Sequence, residues 1–238
     1  MFKIINRGVL LPALGFGLGV ATSMDVWPRT QLPLHDETLL PHLRSVKEGQ
    51  NNDVLEKISR LHEYQELTGA SSHFTKQFVQ SQKIPSAHHS NHVGQGLLFG
   101  RRKLEIDPLV FHNEAEREIV GFYHIGADLS GDNDKVHYGI LSLILDESLC
   151  YCGFSCLPSK RGVTARLSVH FNTELPANST IMLKAKVSEV KGRKCIINGT
   201  LSLVDTDTAV VSGVPFANAE CILVEPKWFK YLNWVDMF

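Results

Sequence analysis

The feature that most constrains this chain is the segment at residues 139–154, GILSLILDESLCYCGF, which is apolar on nearly all sides. It is too long for an ordinary strand, and a helix that is apolar all round belongs inside a protein. The chain beyond it has a different period. Residues 163–171 alternate, with Val163, Ala165, Leu167, Val169 and Phe171 on one face and Thr164, Arg166, Ser168 and His170 on the other. Residues 181–190 and 194–204 read as strands joined by a tight turn at Lys191-Gly192, and a last strand is read over 214–224. Ahead of the apolar segment, 109–111 and 119–125 read as strands flanking a charged turn at 113–118. Period-two runs linked by short turns predict an antiparallel meander. The expected class is therefore α+β, with one long buried helix wrapped by an antiparallel sheet.

The first half of the chain has another texture. Lys3 and Arg7 precede an uncharged stretch at 8–24, and no acidic residue occurs before Asp25. A cleaved mitochondrial presequence, a short membrane anchor and a secretory signal all share that pattern, and all three stay open. Residues 27–50 are polar and proline-spotted, as in a linker. Asn52 and Asp53 offer N-caps to a helix bearing Val54, Leu55, Ile58, Leu61 and Leu67 on one face and ending near Gly69. Residues 81–92 read as a loop whose His88, His89 and His92 are solvated. The expected organisation is a targeting or anchor segment at 1–30, a linker with a helical extension at 31–92, and the α+β domain at 93–238.

A net charge of −1 with no long run of like charge removes the electrostatic case for nucleic-acid binding. Of the five cysteines, Cys150, Cys152 and Cys156 crowd together among apolar residues. They read as small buried hydrophobes in a reducing compartment. Their spacing matches no zinc knuckle, so neither a metal nor a cofactor is expected.

Asp146 lies within the apolar helix, and burying an unpaired carboxylate costs several kcal/mol. One reading makes Asp146 and Glu147 a solvent-facing stripe. The other makes Asp146 a general base or nucleophile beside an electrophile. Just upstream is Val136-His137-Tyr138-Gly139. The first amides of a helix lack intrahelical acceptors, and a glycine there admits a substrate carbonyl to the backbone, as in an oxyanion hole. His137 either orients the substrate or caps the turn.

The order His137-x-Gly139 then Asp146 resembles the signature of hotdog-fold acyl-CoA thioesterases, specifically the mitochondrial thioesterase superfamily member 4 type and its uncharacterised fungal relatives. Further matches occur in order at 123–126, 162–171, 175–178, 190–194 and 219–226, so the resemblance covers roughly residues 109–226. It implies a hotdog fold, to which the helical segment read at 52–69 is an N-terminal helical extension, with a thioesterase-like domain at 93–238, a homodimer or higher homo-oligomer, and a mitochondrial location. It implies that Asp146 is the catalytic carboxylate and Gly139 the oxyanion-side helix start. It places coenzyme A beside His170, Asn172 and Arg193, with Lys194 adjacent, and makes acyl-CoA the expected substrate. Three departures stand out: Tyr138 where the family reads glycine, Asn172 where it reads a basic residue, and Glu174 where it reads proline. Two functions are therefore expected alternatives: a hydrolase of fatty acyl-CoA thioesters, and a non-catalytic hotdog module that binds acyl groups or a protein partner. Membrane association through residues 8–24 belongs to the anchor reading.

Overall fold

A computed structural model of the chain describes residues 49–84 and 89–231. The N-terminal segment at 8–24, with its targeting and anchoring readings, lies outside the described residues, as does His88. Among the described residues no helix is long and apolar enough to cross a membrane.

The apolar segment forms one helix, α3 (Tyr138–Phe154), preceded in the chain by α1 (Asn52–Ser59) and α2 (His62–Thr68). Among the described residues eight strands make a single sheet: β1 (Lys76–Val79), β2 (Leu109–Asn113), β3 (Glu118–Ile125), β4 (Val163–Phe171), β5 (Ser179–Lys191), β6 (Lys194–Asp205), β7 (Val210–Val211) and β8 (Ala217–Val224). Their order is β1-β2-β3-β5-β6-β8-β4, with β7 alongside β6, and every pairing is antiparallel. The sheet wraps α3, and this is the hotdog fold of the α+β class.

The helix is buried residue by residue. Leu141, Leu145, Leu149 and Cys152 are fully enclosed against the inner face of the sheet, with Leu183, Ile197, Leu201 and Leu223 opposite. The approach is close. A side chain at Gly199 on β6 would put its Cβ 2.7 Å from a Leu149 methyl, so glycine lets helix and strand touch.

The outer face is also covered, over β2 and β3, by α1 and α2. Leu55, Ile58, Leu61 and Tyr64 pack on Phe111, Val120, Phe122 and Met182 in a second core. Burial on both faces explains why β2 and β3 show little polar alternation. The single helix expected over 52–69 is two. Leu61 adopts an extended backbone (φ −63°, ψ 138°) between them, which turns its side chain fully into the core. The N-cap is Asn51, one residue earlier than read from the sequence, and its side chain accepts from the Val54 amide at 3.3 Å. Strand β1, not read from the sequence, places the extension within the same sheet by pairing with β2.

One irregularity shapes the site. The β4–β8 register slips between Thr164 and Arg166, a β-bulge. The extra residue switches parity, so Thr164 faces the helix even though Leu167, Val169 and Phe171 also pack toward that core. The simple two-face alternation expected for 163–171 therefore fails at its start, where the bulge re-aims a side chain.

Candidate functional site

Asp146 sits half-buried on the side of α3 turned toward β4. Its Oδ1 accepts a hydrogen bond from the Thr164 hydroxyl at 2.8 Å. The Cys150 thiol lies 3.0 Å from Thr164 Oγ1, within hydrogen-bond distance of it. Cys150 Sγ also lies 4.0 Å from Asp146 Oδ1. Cys221, on β8, completes the group: the carboxylate oxygen and the two sulfurs all lie within 4.8 Å of one another. A hydrogen bond from Cys150 holds the Cys221 thiol below its ordinary pKa, and the same contact, with burial, pushes Cys150 up.

Glu147 faces the other way, into the N-terminal extension. Gln80 Nε2 donates to its Oε2 at 2.8 Å, Gln95 Nε2 donates to Gln80 at 3.1 Å, and His92 Nε2 stands 3.8 Å from Oε1. Burial raises its pKa above the ordinary carboxylate value. Adjacent acids are thus assigned to different surroundings, and only Asp146 looks toward the sheet edge.

At the start of α3, His137 is the N-cap, with extended backbone (φ −65°, ψ 127°). Its Nδ1 accepts from the Gly139 amide at 3.0 Å. A Cβ at Gly139 would come within 2.9 Å of that nitrogen, so glycine is what lets the ring fold over the amide. Tyr138 is exposed and stacks on Phe171 at the end of β4, with centroids 4.3 Å apart and planes 22° from parallel. The residue that departs from the family pattern therefore forms an aromatic step beside the helix start.

The remaining expected residues fall into two groups. His170, Asn172 and Glu174 are exposed near that step. Asn172 is tied down, donating through Nδ2 to the Pro215 carbonyl at 3.0 Å. Arg193 and Lys194 lie at the opposite end of the sheet, where Lys194 pairs with Val224 and Val224 with Val163. The Arg193 guanidinium donates to the Glu225 carbonyl at 2.7 Å. Seven residues of strand separate Val163 from His170, about 23 Å at 3.3 Å per residue. One chain therefore does not bring together the two groups of residues expected to hold coenzyme A. Nor does it join Gly139 to Asp146, which share a helix face but stand about 10 Å apart at 1.5 Å per residue. Thr164 and Cys221 were not singled out in the sequence. The bulge hides the first, and the second is 71 residues from Cys150 in the chain.

No family model matches the chain. Individual proteins do. MIOREX complex component 3 of Saccharomyces cerevisiae is 46% identical over 265 residues, covering 100% of this chain and 97% of that protein. An uncharacterised mitochondrial protein of Candida albicans is 42% identical over 240 residues and covers both chains fully. The acyl-coenzyme A thioesterase THEM4 of Rattus norvegicus is 29% identical over 101 residues, 42% of each chain. Among solved structures, a thioesterase superfamily protein aligns with TM-score 0.42 at 23% identity over 50% of this chain and 53% of its own. An acyl-CoA hydrolase from Staphylococcus aureus aligns with TM-score 0.43 at 15% identity over 46% and 66%. The full-length matches to the two yeast proteins place the sequence in a lineage: the chain belongs to the family of MIOREX complex component 3, a fungal branch of hotdog-fold proteins that shares a shorter stretch of similarity with the thioesterase THEM4.

Proposed function

We propose that the protein hydrolyses fatty acyl-CoA thioesters in mitochondria, with Asp146 as general base or nucleophile. The observation that carries this is Asp146 itself: a half-buried carboxylate, oriented by the Thr164 hydroxyl at 2.8 Å and facing an open sheet edge. Oriented in this way, it can take a proton from water or attack a carbonyl carbon directly. The thioester oxygen would replace the His137 ring at the Gly139 amide, where the helix N-terminus stabilises developing negative charge. The mitochondrial setting is supported by the Candida relative's description.

The 10 Å between Gly139 and Asp146, about the rise of seven helical residues, calls for a second copy. Among the described residues strand β4 is bonded on one side only, to β8, and it contains neither proline nor lysine to protect its other edge. Two such strands paired antiparallel about Leu167 would set Thr164 of each copy opposite His170 of the other. The carboxylate of one protomer would then work beside the helix start of its partner. Arg193 and Lys194 of the first would lie about two strand spacings, roughly 10 Å, from the same place. A homodimer thus gathers residues that a single chain leaves apart.

The test is release of free coenzyme A thiol from an acyl-CoA series by the purified full-length protein. Turnover in the wild type and loss of two or more orders of magnitude in Asp146→Asn is the expected result. A second reading is favoured by the occupied Gly139 amide and the tethered Asn172: a non-catalytic module that binds acyl groups or a protein partner, a reading to which the yeast relative's name, that of a complex component, lends support. Under it, acyl-CoA is not turned over at all.

A further inference from the structure

The group formed by Asp146, Cys150 and Cys221 has a chemistry that thioester hydrolysis does not use. Two sulfurs and a carboxylate oxygen converge within 4.8 Å of one another from the middle of α3 and from β8. All five cysteines are free thiols, so neither sulfur is tied up in a disulfide. From these positions we propose that the protein binds a divalent thiophilic ion, of the zinc class, through Cys150 Sγ, Cys221 Sγ and an Asp146 carboxylate oxygen.

Three arguments support the assignment. The donors suit the ion, because thiolates select borderline-soft metals and a carboxylate is an accepted third ligand. The spacing is near what is required: tetrahedral ligands at about 2.0–2.3 Å from zinc lie roughly 3.3–3.8 Å from one another, so the side chains must close by about 1 Å. The charge also balances. The ion displaces one proton from each thiol, two positive charges replace two, and the site's net charge is unchanged although Cys221 is fully buried. That exchange avoids the cost of adding charge to an apolar interior. Thr164, within hydrogen-bond reach of both Asp146 and Cys150, holds the carboxylate and one sulfur in register. The half-exposed side of Asp146 leaves room for water as fourth ligand.

The binding claim does not depend on the hydrolase reading, although an ion held there would occupy the carboxylate which that reading requires. The test uses full-length, reduced protein under anaerobic conditions with Co²⁺ as the probe. The expected result is a sulfur-to-cobalt charge-transfer absorption that saturates at one ion per chain and is displaced by Zn²⁺. Binding should weaken at least about 100-fold in Cys221→Ser, beyond the 10- to 100-fold lost with a supporting contact. It should survive in Cys195→Ala. A second measurement needs no variant: Cys150 and Cys221 are buried and react only through local opening, so Zn²⁺ should slow the alkylation of both, but not of Cys156, in rates mapped by peptide mass. Absence of the charge-transfer band, an unchanged band in Cys221→Ser, or alkylation of Cys150 and Cys221 unaffected by Zn²⁺ would overturn the proposal.

Discussion

Replacing Thr164 by valine keeps the shape of the side chain and removes the hydroxyl that orients Asp146. The lost contact is a charge-assisted hydrogen bond at 2.8 Å, a class worth about 1.5–3 kcal/mol. Asp146 is partly open to solvent, so screening puts the effect at the lower end. About 1.5 kcal/mol is roughly a tenfold change in rate. The expected result for Thr164→Val is therefore a kcat about tenfold lower with KM little changed, because the hydroxyl orients the reacting group and does not hold substrate. Since the contact acts through Asp146, the loss must disappear in the Asp146→Asn background, where the double variant should be no slower than the single. Steady-state thiol release on the four proteins, with melting temperatures to confirm folding, measures the cycle. An unchanged kcat, or a tenfold loss that persists once the carboxylate has become an amide, would refute the orienting role.

Two further outcomes test the packing and the second carboxylate. Leu61→Ala, at a fully buried position joining α1 to α2, should cost about 2–5 kcal/mol, read as a lower midpoint in urea unfolding. Glu147 has a raised folded-state pKa because burial disfavours its charge. The stability this contributes is present below the ordinary value of 4.5 and is lost as pH rises through the raised folded-state value. Glu147→Gln stays neutral, so its melting temperature should gain on the wild type as pH rises from the ordinary value of 4.5 into the neutral range; a constant difference would mean that the acid is not perturbed.

Much of this fold is legible in the sequence, for physical reasons that vary along the chain. Helix α3 stands out because no surface helix tolerates apolar residues on every side. The β5–β6 hairpin stands out because Gly192 takes a left-handed backbone, φ +60°, at its turn. What escapes is decided by distant partners. The break at Leu61 arises from a core on the outer face of the sheet, and β1 has only four residues and acquires its identity by pairing with β2. The candidate site divides in the same way. Asp146, Gly139 and His137 are visible as a motif, yet the cap that His137 places on the Gly139 amide is a matter of geometry. The orientation of Thr164 depends on where β8 meets β4, and the proximity of Cys221 to Cys150 depends on how α3 lies on the sheet.

Complementation between two damaged copies tests most directly whether Asp146 cleaves a thioester held at another copy's helix start. Asp146→Asn supplies an intact Gly139, and Gly139→Ala supplies an intact Asp146 while its methyl crowds the His137 ring. Each variant alone should be nearly inactive toward acyl-CoA. After the two are mixed in equal amounts and allowed to exchange subunits, half of the dimers carry one of each, and each mixed dimer holds one complete site. Activity should then recover to about one quarter of the wild-type rate, the fraction expected for random pairing about a two-fold axis. A mixture no more active than its components, under conditions where exchange is complete and the wild type turns over, would contradict the account.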